Sequence, residues 1–170
     1  MPQWLGRVAP RALALGGVAL CVLMMAVALG LEHIGGLEPC PLCVFQRVGV
    51  IATGLVLAVA AIHNPAGRVG RAVYAVLALA AVAGGAFVAG RHVWLQSLPP
   101  DQVPSCGPGL DYMIDVLPMQ EMVATVLSGS GECASIDVAF LGFSLPAWTL
   151  AGFIVLAVFP LAMLARAWRR

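Results

Sequence analysis

The chain has 170 residues, of which 61% are hydrophobic and only 10% are charged, and its mean hydropathy is +0.97. Soluble domains are about half apolar and about a quarter charged. A chain of this length cannot bury so much apolar side chain away from water. The net charge of +1 and the absence of lysine argue against a nucleic-acid partner. We therefore expect one integral membrane domain covering residues 1–170.

Four apolar segments are long enough to cross a bilayer, which takes about 20 helical residues. The predicted spans are 12–31, 43–62, 72–90 and 146–165. The expected fold class is all-α, an integral membrane four-helix bundle with a long extracytoplasmic loop. The first span has a competing interpretation, because Arg7 and Arg11 before an apolar stretch that contains Ala26-Val27-Ala28 are also typical of a cleaved signal peptide.

The arginines predict the orientation of the bundle, because cytoplasmic flanks collect positive charge. Seven of the nine arginines fall on one side of the predicted bundle: Arg7, Arg11, Arg68, Arg71, Arg166, Arg169 and Arg170. All eight acidic residues fall on the other side. Both termini are therefore expected in the cytoplasm, and segments 32–42 and 91–145 are expected to face outward.

The second outward segment is long for a loop in a compact domain, and such loops are usually functional or disordered. Between Leu110 and Leu127 its apolar residues recur at roughly helical spacing, which Pro118 interrupts. This pattern predicts one or two short helices at the membrane surface. Ordinary loop helices that pack on the bundle are the alternative.

Four of the five cysteines lie in or beside the outward segments: Cys40, Cys43, Cys106 and Cys133. Disulfides form and persist in an oxidising outer compartment. The fifth, Cys21, lies in the middle of the first apolar span, where a cysteine usually acts as a small buried hydrophobic residue.

Cys40-Pro41-Leu42-Cys43 is a C-x-x-C motif at the predicted start of a helix. Thiol exchange needs a thiolate, which a helix N-terminus and a nearby cation both favour. Arg47 follows Cys43 by four residues and therefore lies on the same helix face, near the sulfur or near an anionic ligand. An arginine that snorkels to the interface and half of a zinc site are the structural alternatives.

Cys106 and Cys133 are separated by 27 residues within the long outward segment. A purely structural bridge between them would stabilise the loop by roughly 3–4 kcal/mol. A working disulfide must instead be close in potential to its partners. Glycine and proline beside both cysteines suggest mobile flanks, which suit a loop that passes electrons between partners.

The sequence resembles the disulfide bond formation protein B (DsbB) family over nearly its whole length. The resemblance is carried by Glu38-Pro-Cys-Pro-Leu-Cys-Val-Phe-Gln-Arg47, by the distant loop pair Cys106 and Cys133, by Arg91-His-Val-Trp-Leu-Gln96, and by Phe140-Leu-Gly-Phe-Ser-Leu-Pro-Ala-Trp148. It implies a quinone-dependent protein dithiol oxidoreductase in the bacterial inner membrane.

The resemblance also implies a sequence of exchange steps. A periplasmic DsbA-like oxidase of the thioredoxin fold attacks Cys106 and forms a mixed disulfide. Cys133 then exchanges with the Cys40–Cys43 disulfide through Cys40, and Cys43 is released beside a bound quinone, either ubiquinone or menaquinone. The respiratory chain reoxidises the resulting quinol.

By the same resemblance, Cys43, Arg47 and His92 form the quinone site, and no metal is required. From the residues alone, His92 could equally be an interfacial histidine beside Trp94. We assign no role to Gln46, which occupies a position where relatives often carry an acid. Val138 replaces a tryptophan that relatives often carry five residues after the last loop cysteine, so an aromatic contact is not expected there.

Other functions are compatible with parts of the pattern. A membrane metal-binding or transport protein would use cysteine and histidine as ligands, although no acidic residue or histidine lies deep inside a span to mark an ion path. A passive membrane protein with two structural disulfide bridges is another compatible interpretation. The vitamin K epoxide reductase family shares the combination of a loop pair with a C-x-x-C motif, but sets that motif differently in its bundle.

Overall fold

The computed structural model describes residues 9–99, 101–104, 110–135 and 139–169. Four of its helices are long and apolar enough to cross a membrane: α1 (Pro10–His33), α2 (Pro41–His63), α3 (Arg68–Gln96) and α7 (Leu145–Arg169). The predicted all-α membrane bundle is therefore confirmed. Cys106 and Val138 lie outside the described residues.

The four long helices pack mainly against their neighbours in the cyclic order α1, α2, α3, α7. Lipid is as apolar as leucine, so helices in a bilayer associate by close packing, which small residues permit. At the crossing of α2 and α3, a Cβ added to Gly49 would lie 2.9 Å from the Cα of Gly85. The ring of Phe153 from α7 packs against Gly85 and is fully buried.

Helix α3 extends beyond the predicted span at both ends, because the apolar pattern ends at Arg71 and Arg91 while the helix does not. Arginine is a good helix former, and an apolar span marks only the part of a helix that lies in hydrocarbon. The extra turns at the C-terminal end carry His92 and Trp94. His92 is therefore a helical residue, not part of a loop.

In its described residues, the long segment between α3 and α7 contains three short helices: α4 (Leu110–Val116), α5 (Met119–Ser128) and α6 (Gly131–Ala134). Pro118 lies between α4 and α5, at the predicted interruption. Buried side chains from these helices meet the N-terminal end of α2 and the C-terminal end of α3. We name this group the sulfur-side cluster, and it comprises Leu42, Val88, Leu95, Met113, Met122, Val126 and Cys133.

Arg91 and Gln96 fasten the loop to α3. The Arg91 side chain donates to the carbonyl oxygens of Leu127 and Ser128, at 3.1 Å each, and its guanidinium lies 4.0 Å from the Trp94 ring centroid. The Gln96 amide donates to the carbonyl oxygen of Ser135 at 3.2 Å. These bonds lie on either side of Cys133 in the sequence and therefore help to fix its position.

A small antiparallel hairpin that the sequence did not predict precedes α7. Its strands are β1 (Ala139–Phe140) and β2 (Phe143–Ser144). The two turn residues, Leu141 and Gly142, have φ angles of 53° and 82°. Positive φ at both central residues matches the right-handed twist of a two-residue hairpin. The Trp148 indole donates to the Phe140 carbonyl oxygen at 3.0 Å, which ties the hairpin to α7.

Candidate functional site

The C-x-x-C motif forms the first turn of α2. Cys40 is the N-cap residue, and Pro41 occupies the first helical position, where its missing N–H costs nothing. One turn of helix brings the two sulfurs together, and Cys40 Sγ donates to Cys43 Sγ at 3.1 Å. This separation is longer than the roughly 2.05 Å of a disulfide. The motif is therefore present as a dithiol.

His92 reaches both sulfurs from α3. Its Nε2 lies 3.8 Å from Cys40 Sγ, and its Nδ1 lies 3.9 Å from Cys43 Sγ. The side chain is only 2% exposed. The sequence predicted His92 near this site, and the structure brings it against the dithiol because α3 continues beyond its apolar stretch. An imidazole in this position can donate a proton to either sulfur or accept one.

Gln46 is a site residue to which the sequence analysis gave no role. Its side-chain amide lies 3.0 Å from His92 Nδ1, and the residue is 3% exposed. Two features of the sequence could have identified it. Gln46 follows Cys43 by three residues, which places both on one helix face, and a buried polar group in an apolar helix requires a partner.

Cys133 lies in α6, is 1% exposed, and packs with Cys40 in the sulfur-side cluster. Its sulfur also lies 3.6 Å from the Ser130 hydroxyl oxygen. The pKa of the Cys133 thiol is raised well above its ordinary value, first because of the hydrogen bond with Cys40 and then because of burial. Cys133 therefore keeps its proton near neutral pH while it contacts Cys40.

Arg47 forms an ion pair with Glu32 near the end of α1, and its guanidinium also lies 3.5 Å from the carbonyl oxygen of Ala28. The sequence predicted that Arg47 would lie near the Cys43 sulfur or near an anionic ligand, and it did not identify Glu32 as a partner. Both side chains are partly exposed, at 21% and 30%. The pair joins α1 to α2, and the Arg47 side chain remains partly accessible.

A cavity of about 350 Å³ opens beside these groups. This volume lies within the usual range for small-molecule sites. Its polar end contains Cys40, Cys43, Gln46, Arg47 and His92. An apolar wall comes from α1 and the start of α7: Leu23, Met24, Met25, Val27, Ala28, Leu31, Leu145, Pro146, Trp148 and Gly152. Further polar residues also line the cavity: Glu32, Glu38, Gln96, Glu132, Ser135 and Thr149.

The comparisons with known proteins agree with one another. The family model described as "Disulfide bond formation protein DsbB" matches residues 10–163. The chain belongs to the disulfide bond formation protein B family. A relative from Chromohalobacter salexigens with that name is 58% identical over 149 residues, which cover 88% of this chain and 87% of the relative. A relative from Stutzerimonas stutzeri is 51% identical over 157 residues, covering 92% and 96%.

Membership of the DsbB family makes this chain a disulfide-forming oxidoreductase. Among the residues predicted for the site, Cys40 contacts Cys43, His92 and Cys133. Arg47 lies one helical turn after Cys43 and lines the cavity. Cys106, the remaining predicted site residue, lies outside the described part of the chain.

Two kinds of ligand suit this arrangement. A flat ring with carbonyl acceptors and an apolar substituent suits the cavity, because its polar groups stand at one end and its apolar walls at the other. A metal ion suits the three side chains Cys40, Cys43 and His92, whose donor atoms lie within 4.8 Å of one another.

Proposed function

We propose that this DsbB family member is a thiol oxidase of the bacterial inner membrane that reoxidises a periplasmic DsbA-like partner and passes the electrons to a membrane quinone. The observation that carries the proposal is the packing of Cys133 with Cys40, whose side chain lines the cavity. A loop cysteine buried against the first sulfur of a C-x-x-C motif is placed to exchange electrons with it.

The cavity has the chemistry that a quinone needs. Its apolar walls suit an aromatic ring and an isoprenoid tail, and its polar end offers a guanidinium, an imidazole and an amide to carbonyl oxygens. A bound quinone supplies an acceptor for two electrons and two protons. Ubiquinone and menaquinone both have these features, and the quinone pool would connect the site to the respiratory chain.

The loop pair takes the electrons from the partner in two exchanges. A thiolate of the reduced partner attacks Cys106 of a Cys106–Cys133 disulfide, and Cys133 leaves with the electron pair of the broken bond. The partner's second thiolate then attacks its own mixed disulfide with Cys106. The partner leaves oxidised, and the loop pair remains as a dithiol.

The loop dithiol then reduces the C-x-x-C motif. Cys133 attacks Cys40 of a Cys40–Cys43 disulfide, and Cys43 is the leaving sulfur. Cys106 next attacks Cys133, which reforms the loop disulfide and releases Cys40 as a thiol. The hydrogen bond of Cys133 with Cys40, together with the donation from Cys40 to Cys43, follows the same order of sulfurs. Cys43 is the last sulfur in this series of exchanges, and it lines the cavity.

The polar side chains around the dithiol have separate tasks in this proposal. His92 Nε2 exchanges a proton with Cys40, because 3.8 Å is close to sulfur hydrogen-bonding distance. Gln46 holds the imidazole ring in the orientation that faces both sulfurs. Arg47 offers positive charge to a carbonyl oxygen, while Glu32 fixes the direction of its guanidinium.

The orientation of the bundle follows from the proposal and from the arginines. The dithiol end of the four-helix bundle faces the periplasm, and both termini face the cytoplasm. The partner then reaches the loop from the aqueous compartment in which disulfides persist, while the quinone enters from the bilayer.

Serine substitutions of the cysteines test the proposal directly. With the full-length protein in detergent, a reduced DsbA-like protein and added quinone, we expect quinone reduction coupled to dithiol oxidation. Cys40→Ser, Cys43→Ser, Cys106→Ser and Cys133→Ser should each reduce turnover to background. Cys21→Ala, which removes a thiol that lies within α1, is the matched control and should remain active. Undiminished turnover in any of the four serine variants would refute the proposed route.

Arg47→Gln tests the quinone end separately. A charge-assisted hydrogen bond contributes about 1.5 kcal/mol or more, so the KM for quinone should rise about tenfold. Exchange between the partner and the loop pair should continue at its normal rate in a single turnover. Arg11→Gln, at the opposite end of the bundle, is the control. An unchanged KM would remove Arg47 from the quinone site.

A metal-binding or transport function is the second candidate, because three donor atoms converge at Cys40, Cys43 and His92. Metal analysis of the isolated protein, combined with counting of thiols under denaturing alkylation, separates the two candidates. In protein isolated in air without reductant, stoichiometric metal with four free outer thiols would favour transport or storage. Disulfides in place of thiols would favour the oxidase.

A further inference from the structure

The dithiol and His92 bring three atoms that can bind a metal close together. Two sulfurs and an imidazole nitrogen lie within 4.8 Å of one another, and the imidazole is buried. Zinc with its usual bond lengths keeps neighbouring tetrahedral ligands roughly 3.5–3.8 Å apart. His92 Nε2 lies 3.8 Å from Cys40 Sγ, which is within this range, and the two sulfurs are 3.1 Å apart. For an ion at Nε2, the Cys43 side chain would rotate so that its sulfur moves away from Cys40 Sγ and towards Nε2.

The chemistry of these donors selects a particular class of ion. Thiolate and imidazole favour zinc and other soft or borderline cations over magnesium and calcium, which prefer oxygen ligands. A ligating imidazole is usually held by a hydrogen bond at its other nitrogen. Here the Gln46 amide lies 3.0 Å from Nδ1; when the amide turns to present its oxygen, the Nδ1 N–H donates to Gln46 and the lone pair of Nε2 is left for the ion.

A fourth ligand stands next to the three. The Cys133 side chain is buried and packs with Cys40 in the sulfur-side cluster, so a displacement towards the dithiol would add a third sulfur and complete a four-coordinate site. Two carboxylates, Glu38 and Glu132, also line the cavity. Their negative charge favours the approach of a cation.

We propose that the reduced protein binds one zinc ion between Cys40, Cys43 and His92, with Cys133 as the fourth ligand, and that this ion inhibits the enzyme. Binding replaces the thiol protons by the metal, so protons are released and no electrons move. The oxidised motif cannot form the site, because its two sulfurs are joined to each other. The ion therefore inhibits the enzyme only while the C-x-x-C motif is a dithiol, after the loop cysteines have reduced it and before the quinone has oxidised it.

This inference extends the proposed oxidase function but can be tested without it. The full-length protein is purified in detergent, freed of quinone, reduced and titrated with Cd²⁺ under anaerobic conditions. Cadmium bound to thiolate absorbs in the near ultraviolet. We expect a saturable signal equivalent to one ion per chain, displacement of Cd²⁺ by Zn²⁺, and no such signal from the protein with the Cys40–Cys43 disulfide intact.

Variants assign the ligands. Cys43→Ser should abolish the signal, and His92→Ala should weaken Cd²⁺ binding by at least about tenfold, the lower end of what loss of supporting groups alone causes at metal sites. If the His92→Ala variant does not fold, the His92→Gln variant is measured instead, because it retains a polar side chain beside Gln46. Cys133→Ser should weaken binding without abolishing it. Cys21→Ala and Cys106→Ser should bind as the unmodified protein does.

Three results would overturn the inference: no signal from the reduced protein, an equal signal from the disulfide form, or binding that is unaffected by both His92 variants. None of these would bear on the oxidase proposal, because neither quinone nor partner is present in the titration. With turnover restored, Zn²⁺ should inhibit the enzyme most strongly at low quinone concentration, when the dithiol persists longest.

Discussion

The core of the four-helix bundle and the sulfur-side cluster are both apolar, but they are assembled differently. The bundle core relies on small residues, such as Gly49 and Gly85 at the crossing of α2 and α3, around a few large side chains such as Phe153. The sulfur-side cluster joins α2 and α3 to short helices through larger side chains, including Met113 and Met122. Helices as short as α4 and α5 are not stable alone. The loop is therefore held by the cluster, whereas the long helices hold one another.

This difference has a consequence for function. Cys133 belongs to the sulfur-side cluster, and its contact with Cys40 lasts only while the cluster is packed. Methionine is flexible and adapts to irregular contacts. A cluster of this composition can release and recover the loop, which suits a cysteine that must serve two partners in turn. A rigid core would not.

Phe153→Ala should have the largest effect on the bundle itself. In lipid, the transfer term for an apolar side chain is small, so the cost comes mainly from the cavity that remains, about 2 kcal/mol for some 100 Å³. We expect that loss in the free energy of unfolding, measured by denaturation in mixed detergent. Ile154→Ala, at a lipid-facing position on the same helix, is the control and should change little. Equal losses would mean that the interior is not packed as described.

Val126→Asp should separate the two regions. The free-energy cost of burying an unpaired carboxylate exceeds the stabilisation from packing one short helix, so α5 should detach from the sulfur-side cluster. Turnover with a protein dithiol should fall by about tenfold or more, because Cys133 is no longer held at Cys40. The bundle should unfold at its normal denaturant concentration. Ala124→Asp, on the exposed side of α5, should retain activity.

The pH dependence of Cys133 provides a sharper test of its contact with Cys40. A raised thiol pKa favours the neutral form in the folded protein, whereas the unfolded chain ionises at the ordinary thiol pKa. This contribution to stability is complete below the unfolded pKa and is lost as pH rises through the folded pKa. Between about pH 7 and 9, alkylation of Cys133 in the reduced protein should therefore be slower than in the denatured chain.

Cys40→Ala removes the first cause of the raised pKa and should speed the alkylation of Cys133, as followed by mass spectrometry of its peptide. Cys21→Ala should leave that rate unchanged. Rapid alkylation of Cys133 in the folded, reduced protein at pH 8 would contradict the contact, and so would a rate that is the same with and without Cys40.

Arg91→Lys should have the smallest effect. Lysine keeps the charge but loses the forked contact with two carbonyl groups and the stacking on Trp94, which together contribute about 1 kcal/mol. Hydrogen exchange in the last turn of α5 should accelerate about fivefold, while exchange in α2 stays the same. Arg68→Lys, at an exposed position near the other end of α3, is the matched substitution. Equal exchange in both variants would remove Arg91 from the attachment of the loop.

Much of the site could be predicted because its chemistry lies in local patterns. The C-x-x-C spacing fixes two sulfurs on one helical turn, and Arg47 follows at a spacing that fixes its face. Gln46 was given no role because relatives often carry an acid at its position, and a polar residue in an apolar helix shows only that it needs a partner. Its partner, His92, comes from a different helix, and pairing of that kind depends on how α2 and α3 cross.

The sequence by itself determined that the chain lies in a membrane, that four long helices cross it and that sulfur chemistry is concentrated at one end, because apolar length and residue spacing along one helix are local properties. Only the tertiary structure decided that α3 carries His92 to the dithiol, that Glu32 pairs with Arg47, and that Cys133 rests on Cys40. Each of these contacts joins segments distant in the chain, and their geometry is set by close packing of helices around glycines and by the docking of the loop, neither of which any single segment specifies.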